Sequence, residues 1–130
     1  MHMPPVIRRA RRRGTIKQLT SNQRNLERLY DLHASICKVF ANPSRLRIVE
    51  ALGDGERTVS QLVELVGVSK SSASQHLATM REKSVVEFRR EGAHVYYRLT
   101  SPKILQACRL MREVLIEQSE RRRALARAAG

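Results

Sequence analysis

The stretch on which the fold turns is Thr58-Val59-Ser60-Gln61-Leu62-Val63-Glu64-Leu65-Val66-Gly67-Val68-Ser69-Lys70-Ser71-Ser72-Ala73-Ser74-Gln75-His76-Leu77. Thr58 with Gln61 three residues later has the spacing of a capping box, in which each side chain satisfies the other's backbone N–H. Leu62, Leu65 and Val66 give the short helix that follows an apolar face, and Gly67 suits its end. A single residue, Val68, separates that glycine from Ser69, a good N-cap for a second helix over about 70–83. Ala73, Leu77 and Met80 recur at helical spacing and form its inner face. Two helices joined by a tight glycine-containing turn make a helix-turn-helix.

Downstream, Val85, Val86 and Phe88, then Val95, Tyr96, Tyr97 and Leu99, are β-branched, aromatic or aliphatic. With Arg89-Arg90-Glu91-Gly92 between them they read as a hairpin that carries two arginines at its tip. Ser101-Pro102 starts a last helix with an apolar stripe of Ile104, Cys108, Met111 and Leu115. Upstream, Asn42-Pro43 caps a helix bearing Leu46, Val49 and Leu52, with Gly53 at its end. Before it, Leu26, Leu29, Leu32, Ile36 and Phe40 mark an amphipathic helix over roughly 22–41. The expected fold is mainly α with a β-hairpin wing: a winged helix-turn-helix.

Charge agrees with a polyanionic partner. The 130-residue chain carries 25 Lys+Arg against 12 Asp+Glu, a formal net charge of +13. The excess is uneven. Residues 1–30 are net +7, residues 31–100 only +2 and residues 101–130 +4. This suggests a basic arm over 1–20, a nearly balanced domain over 21–120 and a basic tail over 121–130. The run Arg8, Arg9, Arg11, Arg12, Arg13 suits either a solvated tail or an arm that neutralises phosphates. No window has the apolar length of a transmembrane helix, and no apolar core follows the basic start as in a secretory signal. Two cysteines are too few for a disulfide framework, so a cytoplasmic protein without a membrane partner is the expectation.

The second helix of the pair holds the candidate DNA-reading residues. Ser69, Lys70, Ser71, Ser72, Ser74, Gln75 and His76 lie along its leading and outer face. Small side chains let a helix enter the major groove. Gln makes paired hydrogen bonds to adenine, Lys reaches guanine acceptors, and Ser hydroxyls and a helix N-terminus suit phosphate. Arg89 and Arg90 would contact phosphates or a minor groove from the wing. A Ser-rich helix alone is ordinary solvated surface; its position between a capped short helix and a hairpin favours groove reading. A unit this small gains by reading two half-sites as a dimer, and the stripes on the first and last helices offer the interface. No nucleophile with base and orienter, metal cluster or phosphate-cradling Gly loop points to an enzyme or to a cofactor.

Several motifs together resemble the ArsR/SmtB family of bacterial and archaeal repressors. They are Ala41-Asn42-Pro43-Ser44-Arg45-Leu46-Arg47-Ile48-Val49, then Val68 to Leu77, then Arg89-Arg90-Glu91-Gly92 with Tyr96-Tyr97. The resemblance covers about residues 25–116. It implies a homodimer joined through the first and last helices, and release from operator DNA when an inducer, often a metal ion or thiol-reactive species, acts. The chain departs from the family pattern at its metal sites. Thr58 to Gln61 stand where Cys-x-Cys would be, and the last helix lacks the His and Asp ligands of zinc-responsive members. Ser84 stands where glycine is common before the wing.

Cys37 and Cys108 are the only thiols, one on each terminal helix. They are either small buried hydrophobes or sensors of oxidants or sulfur species, as in some members of that family. His33, four residues from Cys37, with Cys108, is the metal alternative, and it lacks a clear fourth ligand. A non-specific architectural nucleic-acid binder is the alternative from a different class.

Deleting residues 1–13 removes five arginines. The expected outcome is weaker binding to any duplex and a shallower dependence of log Kobs on log salt. An unchanged slope in a titration over salt would show that the arm does not engage DNA.

Overall fold

The computed structural model describes residues 20–129. The arm expected over 1–20 lies outside the described residues, apart from Thr20. Five helices and three strands follow in the order α1 Ser21–Val39, α2 Pro43–Leu52, β1 Arg57–Thr58, α3 Val59–Val66, α4 Lys70–Glu82, β2 Val86–Glu91, β3 His94–Leu99 and α5 Pro102–Ala129. None of the described helices is long and apolar enough to cross a membrane.

The chain divides within α1, into units ending at Ser35 and beginning at Ile36. In the first unit, Thr20 and Gln23 cap the start of α1 reciprocally. Gln23 Oε1 accepts from Thr20 N at 2.7 Å, and Thr20 Oγ1 accepts from Gln23 N at 3.2 Å. Leu26, Leu29 and Leu32, the outer part of the expected stripe, are exposed.

In the second unit each expected cap is present. Asn42 accepts from Arg45 N at 3.1 Å, with Pro43 in the first turn of α2. Both halves of the Thr58–Gln61 box form at the start of α3. Gly67 then takes the left-handed conformation, φ 76°, that a side chain resists, and the chain turns at once into α4. Ser69 Oγ accepts from Ser72 N at 3.1 Å and caps α4. The core between these elements is aliphatic. Ile48, Val49, Leu62, Leu77 and Met80 are fully buried, and Leu105 ties the start of α5 to them.

The far end of α4 also explains the start of the wing. Val85 N donates to Met80 O at 2.9 Å and Ser84 N donates to Arg81 O at 3.0 Å. These two bonds form a Schellman ending, in which the residue after the cap is left-handed. Here that residue is Ser84, at φ 58°. The accompanying hydrophobic contact is supplied by Val85 and Met80, both in the core. Thr100 Oγ1 donates to Ser84 O at 2.7 Å and fixes the bend from the strand side.

The sheet is antiparallel in the order β1-β3-β2. It differs from the expected hairpin in two ways. The two-residue β1, pairing Arg57 with Tyr97 and Thr58 with Tyr96, is too short to show alternation in sequence. Arg89, Arg90 and Glu91 are strand residues rather than the turn. Pairing continues to Glu91 opposite His94, because Gly92, at φ 60°, permits a two-residue turn with Ala93. The last helix runs past residue 120 and unbroken to Ala129, so Arg121, Arg122, Arg123 and Arg127 are helical. Met111 and Leu115 on it are exposed.

Ser84→Gly should stabilise the protein by about 1 kcal/mol, the cost of a left-handed non-glycine residue less the extra freedom of glycine in the unfolded chain. Ser84→Val should destabilise it. Urea denaturation of the two variants checks both signs; equal midpoints would remove the strain argument.

Candidate nucleic-acid interface

The candidate interface is built on α4. Its inner residues Ala73, Leu77 and Met80 are at 0 % exposure, which fixes the rotation of the helix about its axis. Lys70, Ser71, Ser74 and Gln75 are thereby exposed, and Ser72 is half-buried. Ala78, three residues after Gln75, continues the exposed stripe. Its methyl is of the kind that meets a thymine methyl, and the i, i+3 spacing from Gln75 was a signal available in sequence.

His76 is half-buried and is held from α2. Arg45 Nε donates to His76 Nδ1 at 3.2 Å, and Arg45 Nη1 donates to Val39 O at 3.2 Å. With Nδ1 accepting, the imidazole proton resides on Nε2. Burial, with the Arg45 charge adding to it, lowers the His76 pKa below the ordinary histidine value. His76 is therefore a neutral donor near neutral pH rather than a cation. Arg45, 31 residues away in sequence, carried no local signal for this role.

The two wing arginines differ because neighbouring strand residues point to opposite faces. Arg89 belongs to an ion-pair group. Its guanidinium bonds Glu56 at 2.8–2.9 Å and also Glu91, and lies 4.6 Å from the ring centre of Tyr96, its cross-strand partner. Hydrogen bonds to these carboxylates raise its pKa further. Arg98 joins the same face through Glu87 at 2.8 Å. Arg90 lies on the other face, 5.7 Å from the ring centre of Phe88, and has no carboxylate partner among the described residues.

Both thiols are free. Cys37 is exposed, and Cys108 is half-buried against the core. Burial raises the Cys108 pKa, Arg112 opposes that shift, and Glu50 adds to it. The same Glu50, on α2, accepts from Arg109 at 2.7 Å and Arg112 at 3.3 Å on α5. These bonds, Arg109 first, lower the Glu50 pKa against the effect of burial. Among the described residues there is no group of three or more His, Cys, Asp or Glu side chains placed to hold a metal ion.

A capped helix pair with one exposed polar helix, followed by a β-wing, defines a winged helix-turn-helix DNA-binding domain. Residues 42–87 match the family described as bacterial regulatory protein, arsR family. An uncharacterised HTH-type transcriptional regulator of Mycobacterium tuberculosis is 38 % identical over 68 % of this chain and 79 % of its own length. Its crystal structure superposes with a TM-score of 0.66 at 36 % identity, over 72 % of this chain and 95 % of that one. The homodimeric winged helix-turn-helix DNA-binding domain from Mycobacterium bovis superposes with a TM-score of 0.70 at 30 % identity, over 80 % of this chain and 94 % of that one. A biofilm growth-associated repressor of Xylella fastidiosa is 29 % identical over 84 % of this chain and 94 % of its own length. The chain belongs to the ArsR family of bacterial regulatory proteins.

Arg45→Met should move the His76 pKa part of the way back toward its ordinary value, since burial, the larger cause, remains. An NMR titration of the imidazole reads the shift directly. In the wild type the unfolded chain takes the proton first, so the His76 contribution to stability is complete above the ordinary histidine value and declines as pH falls below it.

Proposed function

We propose that the chain is a homodimeric transcriptional repressor that reads operator DNA with α4 in the major groove and is released by a thiol-reactive inducer. The observation that carries this is the two-sidedness of α4: an inner face at 0 % exposure and an outer face of small polar side chains. In this reading Gln75 pairs with an adenine edge and Lys70 with guanine acceptors. Ser71, Ser72, Ser74 and the Nε2–H of His76 contact base edges or phosphates nearby. Ser69 and the N-terminus of α4 face a phosphate. Arg90 reaches the backbone from the wing, while Arg89, already compensated by Glu56 and Glu91, braces the wing.

Dimerisation is supported by the exposed Leu110, Met111, Val114, Leu115 and Ile116 on α5 and by the homodimeric M. bovis relative. Two copies would place their α4 helices about 34–36 Å apart, one turn of duplex. Repression is supported by the X. fastidiosa relative's description as a repressor. For induction, exposed Cys37 is the thiol a reagent meets first, and Cys108, kept protonated by burial, is the slower partner.

A competition gel shift tests the DNA reading. The promoter of the protein's own operon should compete far better than a scrambled duplex; equal competition would favour a non-specific architectural binder. Gln75→Ala should relax discrimination at one base position by about 1–3 kcal/mol, and an unchanged binding profile would remove α4 from the groove. Operator affinity after oxidant or persulfide, in the wild type, Cys37→Ser and Cys108→Ser, tests induction. If neither substitution changes the response, the thiols are packing residues.

A further inference from the structure

Arg81 has no part in the arrangement above, and it meets Arg90 at one aromatic ring. Arg81, near the end of α4, has its guanidinium carbon 4.1 Å from the centre of the Phe88 ring. Arg90, from the wing, lies 5.7 Å from the centre of the same ring. Phe88 is half-buried, and its other neighbour is Tyr97, with ring centres 5.8 Å apart. A single aromatic ring thus gathers one cation from the helix and one from the strand.

We propose that Arg81 and Arg90, gathered on Phe88, form a clamp for backbone phosphates of duplex DNA at the join of α4 and the wing, with Phe88 as its positioning residue. This rests on the reading of the chain as a DNA binder.

Three observations carry it. The first is charge compensation. Arg89 and Arg98, on the opposite face of the hairpin, are paired with Glu56, Glu87 and Glu91. Arg81 and Arg90 have no carboxylate partner among the described residues. Two like charges drawn to one ring repel each other, and an anion between or beside them removes that cost.

The second is place. Arg81 follows Ala78 by three residues and Ser74 by seven, so it lies along the flank of the exposed stripe of α4. Arg90 shares its strand face with Phe88, the face that meets α4 through Arg81. Beside them is an open hollow of about 380 Å³ lined by Arg81, Ser84, Val86, Glu87, Phe88 and Thr100. The one carboxylate on its rim, Glu87, is already bound by Arg98.

The third is the chemistry of stacking. A ring takes up the flat face of a guanidinium and leaves its edge N–H donors directed outward, in the geometry that suits phosphate oxygens. Such a clamp adds affinity and fixes register without reading bases.

The test is the salt dependence of binding to the promoter duplex and, separately, to a scrambled duplex. Arg81→Ala and Arg90→Ala should each make the slope of log Kobs against log salt shallower by about 1, on both duplexes. Phe88→Leu keeps both charges but removes the platform, and should weaken binding about threefold, while Phe88→Tyr should bind as the wild type does. Melting curves establish that each variant is folded; the two arginine variants alter exposed side chains and keep the test decisive if Phe88→Leu unfolds. An unchanged slope in either arginine variant overturns the clamp, as does a folded Phe88→Leu with wild-type affinity. A wild type without promoter preference would overturn the repressor reading, yet the slopes on scrambled duplex would still decide the clamp.

Discussion

Burial of one side of α4 is the constraint on which the rest depends. Ala73, Leu77 and Met80 are sealed into the core, and every outward residue of the helix takes its direction from that fact. Removing each larger aliphatic side chain from water contributes about 1.5–3 kcal/mol, more than any one surface contact of the helix. The ends of α4 are fixed as firmly as its middle. Ser69 closes one, and the Ser84–Val85 bend closes the other while launching β2. The wing is therefore placed by the same packing that places the exposed face of α4.

The hairpin sorts its charges by strand geometry. Alternation puts Glu87, Arg89 and Glu91 on one face of β2, where Arg98 and the half-buried Glu56 complete a surface network. Surface pairs of this kind contribute little to stability singly. Their larger effect here is to leave the opposite face with uncompensated cations. A partner that meets the wing edge-on encounters net positive charge on the side of α4 and near-neutrality on the other.

Much of this was legible in the sequence because caps and glycines are local signals. Asn42, Thr58, Gln61, Gly67 and Ser69 each act within four residues, and each takes its expected place. The inner face of α4 followed from its period. Three features were not legible. Strand β1 is two residues long, with no pattern to read. The turn fell two residues later than the polar run Arg89-Arg90-Glu91 suggested, since hydrophilicity does not distinguish an exposed strand from a loop. Arg45 with His76, and Arg81 with Phe88, join elements distant in the chain, and only packing brings such pairs together.

Under the proposed function, a change near Cys108 would reach DNA through α2. Cys108 lies against the core on α5, beside Arg109 and within one turn of Arg112, and both arginines bind Glu50 on α2. Five residues earlier on the same helix, Arg45 holds His76 on α4. Helix α2 thus grips α5 with one side chain and α4 with another. Arg45 also bonds the backbone of Val39 at the end of α1, so the helix that carries Cys37 ends on the same anchor. A ligand shifts such an arrangement only by the difference in its affinity for two positions of these elements. A reagent that alters Cys108 without disturbing the Glu50 contacts would have no such difference to transmit along this route. Repositioning Arg109 and Arg112 would change the hold on α2, and through Arg45 the setting of α4.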